Sequence, residues 1–226
     1  MYDLFIQMFP NMLGKGVEYT RGIIQTLQMM LYSGVLSVLF GLVIGVVLTV
    51  TNKGRIMANV FVYNLFDKLI NIFRSIPFII LIALLIGFTR MIVGTGFGVK
   101  GAIIPLIFGT VPFYSRQVES ALVEIDDGII EAALACGSSP WEIIFKVYLK
   151  ENIPGLIRAT MITMVSLIGL TAMMGAVGGG GLGDFAIRYG FQRRMTDVTI
   201  ITVLTILVLV SLIQGIGNYL IKKTTH

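Results

Sequence analysis

Residues 119–151 read ESALVEIDDGIIEAALACGSSPWEIIFKVYLKE, and whether this stretch crosses a membrane decides the fold. From Ile129 to Leu149 it is apolar enough to invite a sixth spanning helix. Against that stand seven carboxylates between Glu119 and Glu151, each costing about 3 kcal/mol at mid-membrane. A penalty on the order of 20 kcal/mol keeps the segment out of lipid. It is read instead as a long aqueous loop with structure of its own. Its charge, seven acids against Lys146 and Lys150, is the reverse of a lipid-headgroup binder, so its partner is expected to be a protein.

Around this loop the chain is a membrane protein by composition. Of 226 residues, 56% are apolar and 13% are charged, with a mean hydropathy of +0.90, whereas a soluble domain carries roughly 25% charge. Five apolar stretches approach the length needed to cross a hydrocarbon layer of roughly 30 Å: about 22–50, 70–88, 98–115, 156–177 and 198–221. The third is short and holds Pro105, Gly109 and Pro112, which spanning helices tolerate when their neighbours satisfy the freed backbone. One all-α membrane domain over 1–226 is the expectation, with the aqueous loop at about 119–155.

Charge orients it. One set of connections holds Lys53, Arg55, Lys68, Arg74, Arg116, Lys146, Lys150, Arg158, Lys222 and Lys223; the other holds Lys15, Arg21, Arg90, Lys100, Arg188, Arg193 and Arg194. Ten against seven places the first set in the cytoplasm, with the N-terminus outside and the C-terminus inside. Met1 to Gly16 contain Asp3 and Pro10 and lack the grammar of a signal peptide, so the first span is expected to direct insertion itself. The cations are scattered rather than gathered in a tract, which implies no nucleic acid. One cysteine, Cys136, and one histidine, His226, leave neither an internal disulfide nor a metal site to build.

The loop has an explicit grammar. Glu131-Ala132-Ala133-Leu134-Ala135 favours helix with a carboxylate near its start, and Gly137 stands where a left-handed cap belongs. Ser139-Pro140-Trp141-Glu142 then supplies a capping hydroxyl, a proline at the first helical position and a glutamate at the third. The second helix carries Trp141, Ile144, Phe145 and Tyr148 three or four apart, a stripe that something must cover. Asn152 to Pro154 closes it. A loop this long with two capped helices and an uncovered stripe reads as a functional surface rather than a spacer.

Glu131-Ala132-Ala133, then Gly137 after three intervening residues, followed by the apolar helix and Pro154, resembles the cytoplasmic signature of permease subunits of bacterial ABC importers. The chain departs from that pattern at Asp126, where the family has proline, at Ser138, where it has alanine, and at Leu149-Lys150, where it has Leu-Pro. Three further stretches resemble the methionine-import branch: Asn71 to Phe78, Phe88 to Thr95, and Gly175 to Gly183. The resemblance implies the type I importer fold, with five spans and a coupling loop of helix, glycine and helix. Glu131, Ala132, Ala133, Gly137, Ser139, Pro140, Trp141, Ile144 and Phe145 would meet an ATPase subunit. It implies two ATPase copies binding ATP and magnesium, a second copy of this chain, and an extracytoplasmic binding protein. No cofactor is expected in this chain.

Other motifs yield to plainer readings. Gly178, Gly180 and Gly183 fit G-x-G-x-x-G, but a membrane helix and no strand precedes them, so a dinucleotide site is rejected in favour of flexible, closely packed backbone. Gly98-Val99-Lys100 lacks the Gly-Lys pair of a phosphate-binding loop. Ser37, Gly41 and Gly45, and likewise Ser211 and Gly215, form small-residue stripes whose default is internal packing, with contacts between copies as the alternative. Arg74 and Pro77 read as a boundary anchor with a kink or as a gating element. Met173 and Met174 are core by default; from its place in the matched stretch, Met173 is the sharper candidate for narrowing the path. Gln25, Gln28 and Gln214 are the polar residues of the spans.

The expected function is translocation of methionine, in either enantiomer, across the cytoplasmic membrane. The alternatives are an importer for another amino acid or small polar solute, and a passive channel. An intramembrane enzyme is disfavoured, since no catalytic pair stands within the spans.

Overall fold

The computed structural model describes residues 9–12 and 14–224; Asp3 and His226, which enter the sequence reading, lie outside them. The described residues form helices and turns without strands. A 3-10 turn, Pro10–Met12, precedes α1 (Gly16–Thr51), α2 (Val60–Ser75), α3 (Phe78–Val93), α4 (Gly98–Val123) and α5 (Asp127–Ala135). A composite helix, α6, follows as Pro140–Glu142, a π-helical segment Ile143–Tyr148, and Leu149–Glu151. Then come α7 (Ile153–Ala176), α8 (Gly181–Phe185, continued by π-helical Ala186–Phe191) and α9 (Thr196–Thr224).

Four helices, α1, α4, α7 and α9, are each long and apolar enough to cross a membrane, and α2 with α3 makes a fifth span when that pair is taken as one. Several small hydroxyls inside the apolar helices satisfy themselves on the preceding turn. Ser33 donates to the Met29 carbonyl, Thr49 to Gly45 and Thr163 to Ala159, the arrangement that lets polar side chains sit in lipid-facing elements.

The second span is corrected. The residues drawn as one helix over 70–88 straddle a break, and α2 and α3 are bent by 108° there. The cause is Pro77, whose ring excludes its predecessor from the helical region. Ile76 accordingly takes φ −84°, ψ 122°, and Pro77 caps the next helix by accepting from the Ile80 and Leu81 amides. The third span reaches further than expected, to Val123, so residues 119–123 belong to a helix rather than to the aqueous loop.

Contacts gather the chain into two compact units, each assembled from three chain segments. The first takes the described residues up to Val35 with Pro77–Ile107 and Met164–Ile213. Its core is Met29, Ile82, Ala102, Leu106, Leu167 and Met174, with a smaller cluster of Met12, Phe185 and Val198. The glycine-rich run is packed against this unit as closely as expected. A Cβ on Gly183 would stand 2.3 Å from the Ala172 carbonyl oxygen, so α7 and α8 meet backbone to backbone. The Gly181 and Leu182 amides donate to the Gln25 Oε1 and Thr26 Oγ1 of α1, both at 2.9 Å. Gln25 is thus a structural clamp, while Gln28 is exposed.

The second unit takes Leu36–Ile76, Phe108–Thr163 and the described residues from Gln214. Its core combines Val50, Tyr114, Val118, Leu122, Ile130, Ile143, Ile144 and Tyr148. Gly41 and Gly45 let α1 lie directly on α4: a Cβ at 45 would fall 2.6 Å from Val118 and 2.8 Å from the Ser115 carbonyl. The stripe in α9 does not do the same. Ser211 and Gly215 are exposed, with no neighbour near the Gly215 Cβ position, and the close contact falls instead at Gly217 against Met161.

Candidate functional site

The aqueous segment between α4 and α7 lies within the second unit. Asp126 opens α5: its side chain accepts from the Gly128 amide at 2.7 Å, and Asp127 adds a second carboxylate at the positive end of the helix. The helix therefore starts four residues before Glu131, and the stabilising carboxylates are Asp126 and Asp127 rather than Glu131. Gly137 takes φ +80°, with the Gly137 amide donating to Leu134 at 2.9 Å and the Ser138 amide to Ala133 at 3.1 Å. These paired bonds are a complete Schellman cap.

α6 opens with the expected capping box. The Glu142 amide donates to Ser139 Oγ, the Glu142 carboxylate accepts from the Ser139 amide at 3.0 Å, and Pro140 fills the first position. Lys146 Nζ donates to Glu142 Oε1 at 2.9 Å. That bond, followed by the one from the Ser139 amide, pushes the exposed Glu142 carboxyl down to about 2.

The apolar stripe is where sequence periodicity misleads. Through the π-helical segment, hydrogen bonds reach five residues on instead of four, so Ile143 and Tyr148 come onto one face, both fully buried. Ile144 joins them at 4% exposure, while Trp141 and Phe145 remain 63% and 62% exposed. Half of the expected stripe is thus covered by the protein itself. Ile144 is a core residue and not a docking contact. Burial raises the Tyr148 phenol above its usual value, and its hydroxyl is enclosed without a hydrogen bond of normal geometry.

Two polar ties seat the segment. Arg55 pairs with Asp127, and the Asn152 side chain donates to the Ala121 carbonyl. Between the turn after α1 and the face of α5 lies a cavity of about 430 Å³ lined by Lys53, Arg55, Asp127, Glu131, Leu134 and Tyr148. Nearby, Arg116 of α4 binds Asp67 of α2 and its own Glu119, the latter at 2.6 Å. Sequence reasoning used Arg55 and Arg116 only for orientation, because pairs separated by tens of residues leave no local pattern.

Of the predicted site residues, Glu131, Ala132, Gly137, Ser139, Pro140, Trp141 and Phe145 are exposed on this one segment, Ala133 is half-buried, and Ile144 is buried. Met173 and Met174 belong to the other unit: Met173 is 42% exposed, and Met174 is packed in the core with Met29. That unit also holds a cavity of about 290 Å³ bordered by Glu18, Arg21, Gln25, Asp184 and Arg188.

Several apolar spans and one double-capped segment between α4 and α7, with Trp141 and Phe145 exposed on it, define a multi-pass membrane component. Residues 37–226 match the model of the binding-protein-dependent transport system inner membrane component family. The chain belongs to this family: it is a transport subunit and not itself an enzyme. It is 42% identical over 202 residues to the probable D-methionine transport system permease protein MetI of Vibrio cholerae, covering 89% of this chain and 90% of that one. With the D-methionine transport system permease protein MetI of Escherichia coli K12 it shares 48% identity over 155 residues, 69% and 71% of the two chains. One chain of the MetNI methionine ABC transporter, solved in inward-facing conformations, superposes with a TM-score of 0.91 at 44% identity, covering 94% of this chain and 98% of that one. The fold is that of an ABC importer permease.

Proposed function

We propose that this chain is the permease subunit of an ABC importer that carries methionine across the cytoplasmic membrane. Identities of 42% to 49% with D-methionine permeases support the solute. Two copies form the path, an ATPase subunit docks on each α5–α6 segment, and a binding protein delivers methionine from outside. ATP and magnesium sit in the ATPase, which supplies all the energy.

The single observation that carries the coupling role is the exposure of Trp141 and Phe145 on a frame fixed by the Schellman cap, the capping box and the buried Ile143, Ile144 and Tyr148. An exposed aromatic pair on a rigid support is what a docking cleft can bind without paying to order it. ATP-driven closure of the ATPase pair would then pull the two segments together and rock the helices. In the orientation drawn from the lysine and arginine count, this segment and the C-terminus face the cytoplasm and the N-terminus faces outside.

The test is uptake of labelled L- and D-methionine into proteoliposomes holding this chain and its ATPase, with other amino acids as competitors. Methionine is expected to enter and to be displaced only by its own enantiomers; failure of methionine to compete overturns the solute. Trp141→Glu with Phe145→Glu is expected to abolish ATPase copurification and uptake while leaving membrane insertion and thermal stability unchanged. Retained uptake overturns the coupling role.

A further inference from the structure

α2 has no part in the docking segment, yet its surface is divided in a way that identifies a partner. One side faces protein. Ile70 is buried, Phe73 lies 5.4 Å from the Phe108 ring, and Asp67 and Asn71 both receive the Arg116 guanidinium. The side turned away splits lengthwise. Phe61, Leu65, Leu69 and Ile72, spaced by four, four and three residues, form an apolar strip that is 77%, 47%, 43% and 57% exposed. Along one edge of that strip, one helical step around, run the exposed polar residues Asn64, Lys68 and Ser75.

A helix that crosses a bilayer meets lipid along its exposed side and has no use for a continuous polar edge. A helix lying in the plane of the headgroups needs both, with its strip in the acyl boundary and its edge in water. The 108° bend at Pro77 releases α2 from the axis of the apolar helix that follows. Charge specifies the lipid. Between Asn52 and Ser75 the chain carries Lys53, Arg55, Lys68 and Arg74 against the single carboxylate Asp67. Arg55 is held by Asp127, and Asp67 by Arg116. Lys53, Lys68 and Arg74 have no carboxylate partner among the described residues.

We propose that α2 lies flat in the headgroup layer, with Phe61, Leu65, Leu69 and Ile72 against acyl chains and Lys53, Lys68 and Arg74 holding the phosphates of anionic lipids. The inference is independent of which solute is carried.

Single-cysteine variants at 61, 65, 69 and 72, made in Cys136→Ser full-length protein and nitroxide-labelled in phosphatidylglycerol-containing vesicles, test it. Collision with oxygen against a nickel chelate reports the depth of each label. A flat helix gives equal depths, within about 3 Å, whereas a helix along the membrane normal gives a steady gradient of about 16 Å from 61 to 72. Such a gradient overturns the proposal, as does shielding from oxygen with spin–spin broadening, which would assign the strip to a second copy. Local enrichment of quencher-labelled phosphatidylglycerol around a fluorophore at Asn64→Cys is expected to fall about fivefold per cation removed in Lys68→Gln and Arg74→Gln. Enrichment unchanged in both variants, or equal to that of a phosphatidylcholine analogue in the parent, also overturns it.

Discussion

At Gly45 a missing side chain does the packing. The Cβ of an alanine there would enter the space of Val118 and the Ser115 carbonyl, and because backbone cannot yield cheaply, Gly45→Ala is expected to cost roughly 1–3 kcal/mol. Gly215→Ala, with nothing within 4 Å of the added atom, is expected to be neutral or slightly stabilising. Thermal unfolding in detergent separates the two, and a loss at 215 equal to that at 45 would show that α9 packs against something beyond this chain. Both glycines belong to stripes of small residues at the same four-residue spacing, and the neighbouring helix distinguishes them. Tyr148 is a second case. Its enclosed hydroxyl lacks a hydrogen bond of normal geometry, so Tyr148→Phe removes a desolvated polar atom while keeping the ring that fills the core. Unfolding of that variant is expected to occur at the parent temperature or above; a loss above about 1 kcal/mol would mean that Arg55 binds the phenol in solution.

Caps are matters of the element, and at Gly137 and Ser139 the sequence was legible. Ser139, Pro140, Glu142 and Gly137 act through atoms within a few residues of themselves, so their spacing alone predicts the end of the first loop helix and the start of the second. The π-helical segment was not legible, because one extra residue per turn depends on whether burying Ile143 and Tyr148 together outweighs regular hydrogen bonding. The capping box makes a pH prediction. Glu142 titrates at about 2 in the folded chain against an ordinary 4.5, so its carboxylate stabilises α6 fully above about pH 4.5. That contribution fades as pH falls through about 2. Amide exchange across Ile143–Tyr148, compared between parent and Glu142→Gln, is expected to differ at pH 6 and to converge towards pH 2. A difference that persists undiminished at pH 2 would remove the carboxylate from the explanation.

For the molecule as a whole, the working hypothesis is that motion of the docked ATPases reaches the solute path along α7, which contributes to both compact units. Met173, half-exposed on that helix, is the residue expected to narrow the path. Met173→Ala is expected to raise ATPase turnover without solute, or leak from loaded proteoliposomes, by several-fold. Unchanged basal turnover and uptake would make it a packing residue like Met174. Stability of the parent and variant should agree within about 1 kcal/mol, since an exposed methionine leaves no cavity when trimmed.

The sequence by itself determined the all-helical membrane class, the presence of a structured loop within about 119–155, and the caps at Gly137 and Ser139. Each follows from composition or from interactions reaching no further than one helical turn. Tertiary structure decided which faces are spent. It buried Ile144 and Tyr148 while leaving Trp141 and Phe145 bare, joined Arg116 to Asp67, and used one glycine stripe while leaving the other open. Those outcomes depend on which surface comes to lie opposite, and burial is a property of pairs of elements that periodicity along one chain does not encode.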